Sequence, residues 1–254
     1  MQFWLGTHRP NWLGLTDVPL MVSQRTLGLR KSMPRARAPW VLDSGGFSEL
    51  SMYGLWQTTP ATYVAAVKRY ADEIGGLEWA AAQDWMCEPH ILKKTGYSVA
   101  EHQYRSVVSY LELRLRAPHL PWLPVLQGWE VADYLHHADM YERAGVALHE
   151  LPVVGIGSVC RRQGTRGAVD LLVRLSGRGL RLHGFGLKST AVCALGAFLA
   201  SSDSMAWSYQ AMKRRERCGS PAAPCANHMH YALAWRDNVL ASIGTRSVQL
   251  GLAL

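Results

Sequence analysis

Eight short apolar runs, spread over nearly the whole chain, constrain its fold more than any other feature. Turn residues bound each run, and patterns with apolar residues three or four positions apart separate most of them. The runs are predicted strands: Phe3–Leu5, Leu20–Val22, Trp40–Asp43, Leu77–Asp84, Leu123–Gln127, Val153–Gly157, Leu180–Gly186 and Ser201–Trp207. Strands that alternate with helices in this way favour βαβ units and a mainly parallel sheet.

Helix start and stop signals stand between these runs. Thr59 and Pro60 provide an N-cap and a first-turn proline for a helix that ends at the glycines after Ile74. Ser98 and Glu101 form a capping box for a long helix. Further helices are predicted over about 131–145, 168–175, 190–199 and 231–243. Eight strands of this kind favour an α/β fold of the closed (β/α)8 TIM-barrel type, with an open doubly wound sheet as the alternative.

Length and composition fit one domain. A chain of 254 residues with 48% hydrophobic content predicts a single barrel domain over residues 1–254. The sequence has no apolar run of about 18 residues and no basic segment followed by an apolar one at its start, so neither a membrane span nor an export signal is expected. Five cysteines are too few for a disulfide framework in a chain of this size, which favours a reducing, cytoplasmic compartment.

The charge balance indicates an anionic partner. The formal net charge is +8 and the pI is near 9.4, and basic side chains gain affinity for nucleic acid by releasing counterions from phosphates. A solvated basic surface is the alternative. The candidate phosphate contacts are Arg161, Arg162, Lys213, Arg214 and Arg215.

Polar residues mark the ends of several predicted strands. Asp43, Asp84, Gln127, Ser158 and Asp203 lie at or just past such ends, and a barrel gathers the carboxyl ends of its strands into one pocket. Two carboxylates in one pocket can divide the work, one attacking covalently and the other moving protons, as in retaining glycoside chemistry. The alternatives are helix caps or salt bridges for the aspartates and a loop contact for Gln127. Capping fits Asp203 poorly, because no clear amphipathic helix follows it.

Glycines accompany these polar residues. Asp43 is followed at once by Ser44, Gly45, Gly46 and Phe47, and glycine lets main-chain N–H groups approach a ligand closely. An ordinary strand-to-loop turn would have the same composition. Comparable turns later in the chain contain Gly155, Gly157, Gly186 and Lys188.

A cluster of cysteine and histidine lies near the end of the sequence. Cys218, Cys225, His228 and His230 fall within thirteen positions of a loop rich in Pro, Gly and Ala. Thiolates and imidazoles packed in a short loop suit a structural, tetrahedral Zn²⁺ site. The spacing is irregular, and buried thiols beside surface histidines are the alternative. The predicted zinc-binding subregion covers about residues 213–243.

The ordered set of motifs resembles a known family. VLDSGGF, AAQDW, PVLQGW, VGIGS, LHGFG and SSDSMAW occur in the order found in tRNA-guanine transglycosylases. The fuller match, which adds FWLGTH, QDWMCEP, GSVCRR and a Cys-rich loop running into YALAW, is similar to the short deazapurine-in-DNA transglycosylases. The resemblance covers nearly the whole chain. It implies a barrel with a zinc loop that replaces guanine in a polynucleotide with a 7-deazaguanine base such as 7-cyano-7-deazaguanine.

The same resemblance implies roles for individual residues. Asp203 matches the nucleophile that attacks the sugar C1′, and Asp43 matches its acid/base partner. Residues Ser44 to Gly46 match positions near the base, and the matches to the guanine-recognition set are Asp84, Gln127 and the turn from Gly155 to Gly157. Cys218, Cys225 and His228 match the metal loop, in which His228 stands where relatives place another Cys and His230 is the candidate fourth ligand.

The partners follow from the same resemblance. DNA and a free 7-deazaguanine base are expected, with helicase-like or other modification-system proteins as further partners in a bacterial or phage-infected cell. The chain is shorter than the tRNA enzymes, which favours DNA. The alternatives are the same exchange on tRNA, a catalytically silent nucleic-acid-binding barrel, and a metal-dependent hydrolase, for which the strand ends lack a His pair.

Overall fold

The sheet consists of parallel strands only and curls back on itself. The structure, a computed structural model, describes residues 1–158, 166–187, 195–215 and 225–251. Its strands are β1 Gln2–Thr7, β2 Leu20–Ser23, β3 Trp40–Asp43, β4 Leu77–Ala81, β5 Trp122–Leu123, β6 Val125–Leu126, β7 Val154–Ile156, β8 Leu182–Gly184 and β9 Ser201–Ser204. The hydrogen-bonded order is β5-β4-β3-β2-β1-β9-β8-β7-β6. Because only Pro124 separates β5 from β6, the two ends of this order are neighbours in the chain, and the sheet forms a nearly closed barrel.

Helices follow most of the strands. They are α1 Gln24–Leu27, α2 Gly46–Tyr53, α3 Pro60–Ile74, α4 Pro89–Thr95, α5 Val99–Arg116, α6 Val131–Arg143, α7 Arg166–Gly177, α8 Ala206–Arg214 and α9 Met229–Gly251, with short 3₁₀ helices at Pro10–Gly14, Leu148–Glu150, Gly196–Phe198 and Cys225–Asn227. Thr59 caps α3 by accepting a hydrogen bond from the Thr62 N–H, as the sequence predicts. None of the helices in the described ranges is long and apolar enough to cross a bilayer.

Two apolar layers surround the sheet, because successive side chains of a strand point to opposite faces. One set fills the inside of the barrel: Trp4, Met21, Val41, Trp79, Ala81, Leu123, Val125 and Phe185. The alternate set, which includes Phe3, Leu20, Leu42, Ala80 and Ile156, packs against the surrounding helices. The filled interior means that a ligand can enter only at the ends of the barrel. Asp43 lies two positions after the inward-facing Val41, so it belongs to the face that opens at the carboxyl end.

The structure corrects the bounds of two predicted strands and divides a third, since Pro124 separates β5 from β6 where the sequence predicts one strand over Leu123–Gln127. The fourth strand ends at Ala81 rather than at Asp84, because pairing of β4 with β5 stops at the Ala81–Leu123 pair and Pro124 follows. The eighth predicted strand ends at Ser204, and α8 begins two residues later. Trp207, the second residue of α8, is fully buried and donates its indole N–H to the Gly6 carbonyl at 2.8 Å.

Other helix predictions differ in detail. The chain forms α2 directly after the Ser-Gly-Gly turn and α4 before the capped helix α5, and both helices are absent from the sequence prediction. Ser98 caps α5 as expected, but the Glu101 carboxylate pairs with Arg105 at 2.8 Å. The helix predicted over about 190–199 lies mostly outside the described residues; within them, Gly196–Phe198 is a 3₁₀ turn.

Candidate active site

A cavity of about 330 Å³ opens at the carboxyl ends of the barrel strands. The elements that line it come from the whole length of the chain, from β1 to the segment after β9. The predicted site residues on its wall are Asp43, Ser44, Gly46, Phe47, Asp84, Gln127, Gly157, Ser158, Gly186 and Asp203. A cavity of this volume is in the range of small-ligand sites. The alternation of strand faces thus brings together residues that are up to 160 positions apart.

Asp43 is the last residue of β3 and faces the cavity. Burial raises the pKa of its carboxyl group above the ordinary value, and hydrogen bonds from Ser23 and the Gly45 N–H act in the opposite direction. The negative charge of Asp203 raises the same pKa further, which shows that the two carboxylates interact across the cavity. An acid with a raised pKa can hold a proton near neutral pH and give it to a leaving group.

Asp203 is held in a fixed orientation from two sides. Its Oδ1 accepts the Gly186 N–H at 2.8 Å and lies 3.3 Å from Nε2 of His183, which is fully buried. On its other side, the His183 ring makes a 2.8 Å hydrogen bond through Nδ1 with Ser201 Oγ. The aspartate does not cap α8, whose first turn has no side-chain cap. Holding one oxygen in this way orients the carboxylate toward the cavity that it lines.

Asp84, Gln127 and Ser158 form a hydrogen-bonded chain along one wall. Gln127 donates its side-chain N–H to Asp84 and accepts the Ser158 hydroxyl at 2.7 Å. Ser44 lies on the other side of Asp84, and its hydroxyl donates to the carboxylate at 3.4 Å. Burial raises the pKa of Asp84 to about 7, although the Gln127 hydrogen bond lowers it. This wall therefore presents a carboxylate that changes its charge near neutral pH.

The backbone of Gly157 closely approaches the hydrogen-bonded side chains of Asp84 and Gln127. A Cβ atom at position 157 would lie 2.0 Å from Gln127 Nε2, a distance that no pair of non-bonded atoms tolerates. The Tyr134 hydroxyl donates to the Gly157 carbonyl at 2.9 Å and fixes the turn from behind. Glycine at this position is what allows the Gln127 side chain to reach Asp84.

Some predicted residues lie beside the cavity or away from it. Gly45, with φ +81°, is the N-cap of α2, and its N–H donates to the Asp43 carboxylate. A Cβ at Gly155 would lie 2.6 Å from the Phe185 ring inside the barrel. Lys213, Arg214 and Arg215 are exposed at the end of α8, far along the helix from Asp203. Arg161, Arg162, Lys188 and Cys218 lie outside the described residues.

The described residues of the predicted zinc site are Cys225, His228 and His230, and their arrangement is partly compatible with a set of metal ligands. Cys225 is buried, and the His228 N–H donates to the Cys225 carbonyl at 3.0 Å, so the two residues are three apart in one 3₁₀ turn and their side chains share a face. The His230 ring stacks on the His228 ring with centroids 5.5 Å apart. Within the described ranges, no group of three or more His, Cys, Asp or Glu residues is arranged to hold a metal ion.

The sequence does not predict a role in the site for three residues that lie near the cavity. His183 stands in a predicted strand, where its alternation with Phe185 on the inner face is the signal that could have found it. Glu88 lines the cavity at 3% exposure, and Arg25 is exposed beside Gly45, with its Cγ 2.9 Å from the place of a Cβ on that glycine. No local pattern distinguishes Glu88 or Arg25 from other charged residues, because the position of each depends on how its segment folds against the Ser-Gly-Gly turn and the cavity.

The fold and the cavity define a parallel α/β barrel of the enzyme type, with carboxylates at the carboxyl ends of its strands. Residues 1–250 match the family model of deoxypurine in DNA protein A (DpdA). The chain therefore belongs to the DpdA family, a transglycosylase-like family, which supports an enzymatic role in deazapurine modification of DNA. No curated protein matches the chain.

Proposed function

We propose that this protein replaces guanine in DNA with a 7-deazaguanine base, 7-cyano-7-deazaguanine being one example. One observation carries the proposal: Asp43 and Asp203, from opposite ends of the chain, line a single cavity with room for a nucleobase. The family match favours DNA as the polynucleotide over tRNA. Because the cavity lies at the mouth of a filled barrel, a guanine in a duplex must be extruded from the stack to enter it.

The proposed chemistry is a double displacement at the sugar. The Asp203 carboxylate attacks C1′, the bond from C1′ to guanine N9 breaks with its electron pair going to guanine, and the Asp43 carboxyl group supplies the proton that guanine needs to leave. The incoming base then loses its N9 proton to the Asp43 carboxylate and attacks C1′, which releases Asp203.

The coupling between the two acids suits this sequence of steps. Burial and the charge of Asp203 both raise the pKa of Asp43 in the free protein, which favours the protonated form of Asp43 before the first step. Formation of the sugar ester removes the negative charge from Asp203 and with it this contribution to the pKa of Asp43. The proton of Asp43 is therefore released more readily at the moment when guanine leaves.

Base recognition is proposed for the opposite wall. In its ionised form Asp84 can accept hydrogen bonds from the N1–H and 2-amino group of guanine, an edge that adenine does not share. Gln127 and the turn at Gly157 stand next to Asp84 and suit the neighbouring O6 edge. Phosphate contacts are proposed for Arg161, Arg162, Lys213, Arg214 and Arg215, with Arg25 at the mouth of the cavity.

Isotope exchange tests the proposed function. Wild-type protein incubated with labelled guanine should label duplex DNA, and labelling of tRNA instead would establish the tRNA reaction. Asp203→Asn should abolish labelling because the amide is not a nucleophile, and unlike the wild type it should form no covalent adduct with DNA. As a control, Asp170→Asn on the exposed face of α7 should exchange normally. Exchange that survives in Asp203→Asn would refute the assigned nucleophile.

A structural zinc ion is proposed for the loop that leads into α9. Cys225 and His228 would hold it from one turn, with Cys218 and His230 completing a tetrahedral set, and the metal would tie this loop to the barrel. Cys225→Ser should lower the zinc content measured by atomic absorption to well below one per chain. Cys87→Ser, which changes a buried thiol near the cavity, should leave the zinc content unchanged. Equal zinc content in both variants would exclude this site.

A further inference from the structure

The cavity contains one acid that the proposed reaction does not use. Glu88 follows β4, lies on the cavity wall and is 3% exposed. Within the described residues its Oε2 has no hydrogen-bond partner. A buried carboxylate oxygen without a donor is costly, so a position of this kind is maintained where a ligand supplies the donor.

A structural role for this side chain is not visible in the described part of the chain. Glu88 occupies the N-cap position of α4, but its side chain makes no capping hydrogen bond. No salt bridge joins it to a basic side chain in the described ranges, and no Lys, Arg or His lines the described wall of the cavity. By contrast, the buried Glu49 uses both of its oxygens on Gln57 and Thr58.

The charges of the cavity favour one kind of ligand. Its described charged residues are four acids, namely Asp43, Asp84, Glu88 and Asp203. Ionised carboxylates only accept hydrogen bonds. A base that carries an additional N–H donor or a positive charge is therefore stabilised by a carboxylate such as Glu88, whereas a nitrile, which only accepts hydrogen bonds, gains nothing from it.

The order of groups along the wall places Glu88 at one edge of the base. Along a 7-deazaguanine ring the 2-amino group and N1–H are followed by O6 and then by the substituent on C7. Along the wall, Asp84 is followed by Gln127 and Ser158. Ser158 Oγ in turn accepts the Cys87 N–H at 3.4 Å, directly before Glu88. A base whose N1 edge lies on Asp84 thus directs its C7 substituent toward Glu88.

We infer that Glu88 accepts a hydrogen bond from the C7 substituent of the incoming base. The preferred substrates are then 7-deazaguanines that carry an N–H donor on this substituent, an aminomethyl or a carboxamide group, over those that carry a nitrile. This inference rests on the function proposed above and specifies the substrate class of the same site.

Competition between bases tests the inference without any variant. Wild-type protein should use 7-aminomethyl-7-deazaguanine with a kcat/KM at least about tenfold above that for 7-cyano-7-deazaguanine, as expected for loss of one charge-assisted hydrogen bond. Equal use of the two bases, or preference for the nitrile, would overturn the inference while exchange of labelled guanine still supports the proposed function. Absence of exchange with every base, guanine included, would overturn both.

A substitution of Glu88 tests the contribution of this residue separately. Glu88→Gln should reduce the ratio of kcat/KM for the aminomethyl base to that for guanine by about ten- to a hundredfold. The matched control is Glu78→Gln, which changes an exposed acid near the start of β4, at the end of the barrel away from the cavity, and should leave the ratio unaltered. A fall in the use of both bases by the same factor would show that Glu88 serves the fold or the shared edge, and would contradict the inference.

Discussion

Asp203, the proposed nucleophile, illustrates how a side chain at the cavity is oriented by its neighbours. Its Oδ1 accepts the Gly186 N–H and lies 3.3 Å from His183 Nε2, and the His183 ring is fixed by its hydrogen bond with Ser201 and by aromatic contacts with Trp79 and Phe185. These aromatic side chains lie inside the barrel, whereas Gly186 lines the cavity. We therefore expect the orientation of Asp203 to depend on the packing of the barrel interior, with His183 as a proposed positioning residue.

The raised pKa of Asp84 has a consequence for stability. Burial moves the pKa from 3.8 to about 7, so between these pH values the folded state binds a proton more tightly than the unfolded chain does. The free energy of unfolding must then fall as the pH rises through this interval. Between pH 5 and pH 8 the contribution of Asp84 is roughly 2 to 3 kcal/mol.

Asp84→Asn removes this titration, because the amide stays neutral. We predict that the unfolding free energy of the variant, measured by urea denaturation, depends less on pH between 5 and 8 than that of the wild type. Asp170→Asn, at an exposed position, should keep the wild-type slope. Parallel pH profiles for the wild type and Asp84→Asn would contradict the assignment of this titration to Asp84.

At the scale of elements, the turn after β7 decides the shape of the recognition wall. Gly157→Ala places a methyl group where Gln127 Nε2 now lies, so the amide must move and Asp84 loses a donor. We predict a loss of stability of about 1 to 3 kcal/mol, as is typical of an overpacked site, together with a large loss of base exchange. Thermal unfolding and exchange of labelled guanine measure the two effects.

Gly177 provides the control for the Gly157→Ala substitution. It ends α7, and a Cβ there would meet no atom within 4 Å. Gly177→Ala should leave exchange intact and stabilise the helix or change it little, by no more than about 1 kcal/mol. Equal damage from the two substitutions would mean that the effect at position 157 does not come from contact with Gln127.

The sequence predicts the strands of this barrel better than the segments that follow them. Apolar runs bounded by turn residues, and the capping residues Thr59 and Ser98, report local physics, so eight strand positions and helices α3 and α5 could be predicted. The described residues form nine strands, because Pro124 divides the fifth run into β5 and β6. Helix α2 could not, because its first residues are glycines that read as a turn. Residues at strand ends such as Asp43 and Asp203 were found from position alone, whereas Glu88 requires knowledge of which loop folds over the cavity.

At the scale of the whole molecule, charge is divided between the surface and the cavity. The chain carries a net charge of +8, yet the described charged residues of the cavity are all acidic. We therefore expect the basic surface to attract DNA, and the acidic cavity to admit a neutral or cationic base and to repel phosphate. This division favours entry of a single extruded base over entry of the strand itself.

Substitutions of Arg25 and Lys213 test which part of the protein surface binds the DNA. Arg25 is exposed beside the Ser-Gly-Gly turn at the mouth, and Lys213 is exposed toward the end of α8. Each phosphate contact contributes about one unit to the slope of log Kd against log salt concentration, so Arg25→Gln and Lys213→Gln should each weaken binding of duplex DNA and lower that slope by about one.

Arg143→Gln is the control, since Arg143 is exposed at the end of α6, on the side from which the chain returns to the amino ends of the strands. The affinity of Arg143→Gln for duplex DNA, and its slope of log Kd against log salt concentration, should equal those of the wild type. Fluorescence anisotropy between 50 and 200 mM salt, on the order of the range in which phosphate contacts dominate, measures all four proteins. An affinity that does not change with salt would refute the phosphate contacts. A loss in Arg143→Gln equal to that in Arg25→Gln would show that DNA is held by the net charge and not by the mouth of the barrel.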